Sequence, residues 1–408
     1  MIVVGRRAPV HNSPNDLLAP PLARGARVEV CIVGAGLAGM IAAYLLAREG
    51  RSVMVLDEGP VGGVQGGFDA AHLASVMDKP YAWIEEHRGA DAARLAAQSY
   101  AAAIDALEAI ALREHIACEF ERLDGYLFAP PAEPAEHLER EVEAARRAGV
   151  EGVELLEEAP IEGASWGRCV RYPAQAHFHP TRFLAGLARA IVREGGRIHC
   201  GVRCKAIEPG RPLAAITSDG HRVEAQTLVT SHPVRAGGHL HERPAPRIAH
   251  GIGLRVPRGS VPHALYWESR DAARWVRLRS HGSGAGEVLL VGGEDPEGDD
   301  DHTAFRYLGL EAWARERFPA AGEVVQRFTG EVVQALDVFA LSGRGTCDSE
   351  SVYVATGDWG TAMTRGTLAG LVIRDFAAGN ETPWAQYCIP EACYAAPARA
   401  ARNGERAL

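Results

Sequence analysis

Six residues near the start of the chain, Gly34-Ala35-Gly36-Leu37-Ala38-Gly39, place glycine at the first, third and sixth positions. Glycine at the first permits a tight turn, at the third it lets a pyrophosphate approach the backbone, and at the sixth it lets a helix pack close to a strand. Free N–H groups and a partial positive charge at the start of such a helix suit phosphate oxygens. Asp57 follows, with Glu58 beside it. A carboxylate about 20 residues after the glycines accepts hydrogen bonds from ribose hydroxyls, which favours FAD or NAD over a 2′-phosphorylated dinucleotide.

The elements that must hold these residues are legible around them. Val28 to Val33 is a short β-branched run and reads as a buried strand. Met40 to Glu49 has helical apolar spacing, Gly50 ends it, and Ser52 to Leu56 is a second buried strand closed by Asp57. This is a β-α-β unit of about 30 residues. A glycine-rich turn without ligand does not account for strand, glycines, helix and acid coinciding.

Three features favour FAD over NAD. The motif occurs once, near the N-terminal end. A second cluster, Gly62-Gly63-Val64-Gln65-Gly66-Gly67, follows the acid, and its Gly63, Gln65 and Gly66 are expected at the cofactor. Late in the chain, Tyr353 to Gly360 leads into a helix from Thr364. A strand–glycine turn opening a helix aims N–H groups at an isoalloxazine carbonyl and stabilises negative charge on the reduced flavin. Gly357, Trp359, Gly360, Thr361, Ala362, Met363 and Thr364, in this turn and the start of its helix, are the cofactor candidates there, with Asp358 as a catalytic candidate. Thr230, which closes the apolar strand Thr227 to Thr230, is taken as a further cofactor contact.

Elsewhere, residues 84–114 read as an alanine-rich helix and 181–194 as a helix preceded by His179-Pro180. Strand-like runs alternate with turns between 248 and 291. The order predicts an α/β protein: a Rossmann-like FAD-binding domain built from discontinuous segments, plus an α+β substrate domain with a mainly antiparallel sheet. The expected segments are 27–95, 160–240 and 340–390 for the first domain and 96–159 and 241–339 for the second. Residues 1–26 are an irregular lead-in and 391–408 a C-terminal tail.

The chain resembles the D-amino-acid oxidase and glycine oxidase group of FAD-dependent oxidoreductases, most of all the subgroup usually fused to a C-terminal Rieske domain. The resemblance spans roughly residues 20–390. It is carried by Pro20-Pro21-Leu22, Val33 to Gly39, Ala71-His72-Leu73, Phe120 to Phe128, Tyr172 to Pro180, Arg255 to Trp267, Leu290 to Asp295 and Val354 to Gly370. It implies two domains with the isoalloxazine between them, and oxidation of a C–N bond in an amine or amino acid by hydride transfer to flavin N5. Carried over by position, Gly34, Gly36, Gly39 and Asp57 hold the ADP part, Cys204 offers backbone groups to the adenine, and Gly357 to Thr364 face the ring. Two departures stand out. Gly66-Gly67-Phe68-Asp69 replaces a turn that in many relatives brings an arginine beside the flavin, and Trp359, Thr361 and Ala362 replace smaller residues. A CxH…CxxH Rieske pair is missing after Pro390, so electrons are expected to leave to O₂ or to a separate iron–sulfur carrier.

His72 is a catalytic candidate beside the flavin, weighed against a packed structural histidine. Tyr266, Arg255 and Arg277 are substrate candidates. A Tyr266–Trp267 pair suits a cationic amine, and a guanidinium clamps a carboxylate; core packing and solvent-facing strand positions are the plain alternatives. His177 and His179 are explained better by the turn before Pro180 than by a metal. The acidic stretch 295–301 lacks a calcium-loop spacing, and Cys200 and Cys204 read as ordinary thiols. No metal is expected.

Composition bounds the rest. Of 408 residues, 43 are Lys or Arg and 52 Asp or Glu, for a net charge of −9. No concentrated basic run argues for nucleic acid. No apolar run is read as reaching the ~18 residues of a membrane span, the first 27 residues lack an apolar signal-peptide core, and a cytoplasmic protein is expected. Two other classes stay open: a flavin monooxygenase using NAD(P)H, and a flavin-binding subunit without oxidative turnover.

Overall fold

The computed structural model describes residues 18–62, 71–76, 79–129, 136–161, 166–230, 235–236, 239–240, 246–269, 274–280, 286–294, 303–333, 342–344, 351–355 and 362–384. Two sheets organise them. The first is centred on β1 (Ala26–Val33). β1 lies parallel to β2 (Val53–Leu56) on one side and to β10 (Arg222–Thr230) on the other. β7 (Arg197–His199) extends the parallel set beyond β2, and β19 (Val352–Ala355) extends it beyond β10. Strand order therefore reverses between β1 and β10, and Val33, Thr230 and Val354 share one rung there. In open α/β sheets, ligands bind beyond the carboxyl ends of strands at such a switch point. An antiparallel extension of β8 (Cys204–Glu208) and β9 (Leu213–Thr217) joins the first half of β10. Short strands β11 (Arg235–Ala236), β12 (His239–Leu240) and β18 (Ser342–Arg344) complete the sheet.

Helix α1 (Leu37–Arg48) is apolar nearly all round and buried, as a helix between a sheet and other helices must be. Its outer neighbours are α5 (Pro180–Arg193) and α7 (Ala362–Ala378). Gly370 makes the second contact possible: a Cβ there would meet Ile41 Cβ at 2.8 Å and the Ala38 carbonyl oxygen at 2.9 Å.

The second sheet runs β17 (Val324–Val333), β13 (Pro246–Val256), β16 (Glu287–Glu294), β15 (Trp275–Ser280), β14 (Leu265–Glu268), β4 (Glu121–Phe128), β6 (Cys169–His177) and β3 (His72–Leu73), with β5 (Glu154–Leu156) also on β6. Among the described residues its strands pair antiparallel except β14 with β4. The strands β3 and β6, which fall inside segments expected for the first domain, are thus built into the second sheet. Strand alternation divides its faces. Ile252, Leu254, Val276, Leu278, Leu289 and Val291 pack with Trp313 and Phe318 at or just after α6 (Thr303–Arg317). Trp275, Val288, Leu290 and Phe328 gather on the other face.

Residues 84–114 are two helices rather than one, α2 (Tyr81–Arg88) and α3 (Ala90–Arg113). Gly89, at φ +87°, ends one and begins the other; a left-handed backbone is cheap only for glycine. By length and composition α3 is apolar enough to cross a membrane, which corrects the expectation that no stretch reaches that length. Half of that apolar window is buried here, through Ala96, Tyr100, Ala103, Ile104 and Leu107.

The first turn of α2 has no side-chain cap of its own. Glu141, on α4 (Glu136–Arg147), supplies one by accepting from the Tyr81 and Ala82 amides at 2.9 and 2.8 Å, and it also accepts from the Tyr172 hydroxyl at 2.5 Å. Burial pushes its carboxyl above the usual range, against those donors. Glu141→Gln keeps the shape but turns an acceptor into a donor facing donors. It is expected to cost about 2 kcal/mol in urea denaturation, with the flavin content of the folded protein unchanged.

Candidate functional site

The glycine loop is held from three sides. Gly34, at φ +124°, donates its amide to the Leu56 carbonyl at 2.8 Å. Asp57 is buried, accepts from the Ala35 amide through Oδ2 at 2.6 Å and from the Gly59 amide through Oδ1 at 2.7 Å. Gly62 donates to the Ala35 carbonyl at 2.9 Å. The acid expected at the ribose therefore also ties the loop to the end of β2. Glu58 is exposed, with Arg203 Nε 3.7 Å from its carboxylate.

The three glycines differ in what surrounds them. A Cβ on Gly39 would meet the Gly34 carbonyl oxygen at 2.2 Å, so the helix lies directly against the turn. A Cβ on Gly36 would meet nothing within 4 Å, and Gly36 begins α1 with no side-chain cap. Open space over uncapped amides is the cradle a pyrophosphate needs, and the residues present fit FAD at this end. Ala35 and Leu37 are buried under the loop, and Ala38 is partly buried. Thr230 is fully buried at the carboxyl edge. Cys204 opens β8, donates to the Ala206 carbonyl, and burial pushes its thiol up to about 11, so it acts through its backbone if at all.

From this cradle the site continues toward the second sheet. Gly366 of α7 faces Leu37 of α1, where a Cβ would lie 3.4 Å away. Thr364, in the first turn of α7, donates its hydroxyl to the Ala74 carbonyl at 3.1 Å, just past β3. Gln175 accepts from the Ser75 amide at 2.5 Å, and the Tyr81 hydroxyl donates to the Ser75 carbonyl. The end of β3 is thus clamped by α7, β6 and α2 together. Met363 is buried at the same turn, and α7 starts at Ala362. Gly63, Gln65, Gly66, Gly357, Asp358, Trp359, Gly360 and Thr361 lie outside the described residues.

His72, in β3, is 6% exposed and its Nε2 has no hydrogen-bond partner. Its ring stands edge-on to Trp275 at 5.7 Å. Burial, then Arg277 and then His177, hold its pKa well below the ordinary histidine value. Arg277 shares the face of β15 with Trp275, opposite Val276 and Leu278, and is 7% exposed. Arg279 follows on that face, with Nη2 3.3 Å from Gln326, its pKa lowered by burial.

Other candidates sit elsewhere. Tyr266 is turned into the core against Trp166 and Phe318, its hydroxyl on the Pro262 carbonyl at 3.1 Å, so it does not wall a site. Arg255 is exposed and paired with Glu323 at 2.9 Å. Both readings are corrected by the same cause: alternation along a strand does not say which face is covered. His179 caps α5 by accepting from the Arg182 amide, as the helix-start reading requires. His177 was not expected at the site; the strand pairing that brings it there has no local signal.

Comparison with known proteins agrees with this geometry. Residues 29–376 match the family described as DAO, FAD dependent oxidoreductase. YhfW of Bacillus subtilis (strain 168), which carries the name Rieske 2Fe-2S iron-sulfur protein, is 24% identical over 375 residues, covering 91% of this chain and 72% of that one. The gamma-glutamylputrescine oxidoreductase of Escherichia coli (strain K12) is 27% identical over 225 residues, 54% of this chain and 51% of that one. Among solved structures, glycine oxidase from Geobacillus kaustophilus superposes with a TM-score of 0.75 at 20% identity, over 90% of this chain and 99% of that one. At that identity the likeness is one of fold.

Proposed function

The chain belongs to the DAO family of FAD-dependent oxidoreductases, and from that premise we propose that it oxidises a C–N bond of a small amine or amino-acid-like substrate. The observation that carries this reading is Arg277, a buried guanidinium on the sheet face that also carries Trp275 and meets His72. A guanidinium there binds a carboxylate in two parallel hydrogen bonds and fixes the substrate's orientation. Trp275 adds an aromatic wall, and burial excludes water. Bound FAD supplies the hydride acceptor, held at its ADP end by the Gly34–Gly39 loop and the start of α1. The names of the E. coli and Geobacillus relatives, a putrescine derivative and glycine, support amine and amino-acid chemistry. Electrons leave to O₂ or to an iron–sulfur carrier; the name of the B. subtilis relative supports the second.

The test is an absorption spectrum of the purified protein followed by anaerobic titration with amines, amino acids and NADH. Bleaching of the band near ~450 nm by one amino acid or amine and not by NADH is the expected result. Bleaching by NADH alone would replace this reading with a monooxygenase.

A further inference from the structure

We propose that His72, His177 and Glu121 form a proton route that takes the substrate's ammonium proton from the buried site to solvent. The inference rests on the amine-oxidation reading and adds the route that reading lacks. Hydride leaves a carbon bearing a neutral amine far more readily than one bearing an ammonium, so a proton must depart first.

The three residues form one rung of the second sheet. His72 pairs with His177 across β3 and β6, and His177 pairs with Glu121 across β6 and β4. Residues directly opposite in an antiparallel ladder share a face, with Cβ atoms about 5 Å apart. Exposure rises along the rung: the His72 residue is 6% exposed, and the His177 and Glu121 side chains are 13% and 50%. His177 Nε2 lies 3.3 Å from the Glu121 carboxylate. The inward nitrogens, His72 Nε2 and His177 Nδ1, are buried without a hydrogen-bond partner.

The backbone is arranged for this rung. Ala71, just before His72, sits at φ +55°, and Ala174, in β6 three residues before His177, at φ +58°. Non-glycine residues in that region cost on the order of 1 kcal/mol and gather where a side chain must be aimed. At Ala174 the β4–β6 register shifts, two β4 steps spanning three in β6. A bulge of this kind re-aims the strand beyond it, here Gln175 and His177.

The charged groups facing the rung set its direction. Burial first, and then Arg277 of β15, lowers the pKa of both histidines; His263, itself 2.9 Å from Glu287 of β16 and 3.8 Å from Glu121, adds the smallest share at His177, whose pKa falls to about 3. In the free protein both rings are therefore neutral acceptors at pH 7. A carboxylate on Arg277 leaves their burial in place but offsets the second cause, the guanidinium's charge, so His72 gains part of its basicity back when a substrate is bound. His72 Nε2 then takes the ammonium proton; the N–H bond breaks and its electron pair stays on the substrate nitrogen. The imidazolium gives a proton to His177 Nδ1 after a turn of one ring, and His177 releases its Nε2 proton to Glu121 and water.

Two readouts test the route. In holoprotein with ¹³C-labelled histidine, acetate is expected to raise the His72 titration by about one pH unit; no shift overturns the coupling. In anaerobic flavin reduction, His177→Asn and the exposed Glu121→Gln are expected to slow the rate at pH 7 by about 10²-fold and ~10-fold. The loss should fade as pH rises through the substrate's own ammonium pKa. Because Glu121 is half exposed, its variant tests the route even where His177→Asn does not fold. Reduction by wild type, with variant losses that stay flat across pH, overturns the route alone. A wild-type flavin that no amine or amino acid reduces at any pH overturns the oxidation reading and the route with it.

Discussion

Gly39→Val is expected to give a protein that retains no FAD and melts well below wild type. The added side chain would begin 2.2 Å from the Gly34 carbonyl oxygen and 3.1 Å from Ile32 Cγ2. The carbonyl cannot yield cheaply. The Gly34 amide is fixed to Leu56, the next amide to Asp57, and the Ala35 carbonyl to Gly62. Overpacking a rigid site costs about 1–3 kcal/mol and occasionally more. Losing a ligand that saturates the native state a hundredfold above its Kd removes roughly 2.7 kcal/mol besides. The 450-to-280 nm absorbance ratio and the melting temperature with and without added FAD check both parts. Gly36→Ala is the companion, because a Cβ there meets nothing within 4 Å. Its apoprotein should melt as wild type does, while its FAD affinity falls. Wild-type flavin content in Gly39→Val would mean that α1 does not need its close approach to the turn.

Arg277→Leu is expected to lower kcat/KM for amino acids by roughly 10²–10³-fold and to spare amines that lack a carboxylate. Removing one partner of a desolvated charge pair costs about 2–5 kcal/mol, and a fixed carboxylate also sets where the reacting C–H bond points. The leucine also lifts a suppressing charge from His72 and His177, so in the free variant both rings should titrate at higher pH than in wild type. Equal losses for carboxylated and uncarboxylated substrates would remove Arg277 from recognition. Arg277→Lys should recover only part of the rate, since an ammonium cannot make the paired hydrogen bonds of a guanidinium.

The parts of this protein that could be read in advance are those whose signal is local. The strand, glycine loop, helix and acid from Val28 to Asp57 lie within one stretch of chain, and each residue's job there follows from its neighbours in sequence. The closing helix from Thr364 announces itself similarly. What escaped was decided by pairing between distant segments. Arg255 and Arg277 both sit on alternating strands. Only the placement of the strands puts one in an exposed ion pair with Glu323 and buries the other beside the histidines. Tyr266 and Trp267 look like an aromatic wall until α6 covers the first of them. His177 joins His72 and Glu121 because Ala174 interrupts the β6 register, and a single alanine gives no warning of a bulge. Gly89 was visible as a glycine, yet whether it interrupts a helix or merely weakens it depends on the backbone angle it takes.

The contact between Gly370 and Ile41 has a bearing on how the protein is made. The first helix of the nucleotide-binding sheet is covered by one that leaves the ribosome about 330 residues later, and at 5–20 residues per second that interval is roughly 15–65 s. Until then the apolar outer face of Leu37–Arg48 has no α7 to cover it, and β10 lacks β19. The nascent chain must therefore carry its phosphate-binding turn on an unfinished scaffold. Messages that stop early, or ribosomes that stall before Gly370, should release protein that chaperones retain and proteases clear, because no subset of the chain closes this layer by itself.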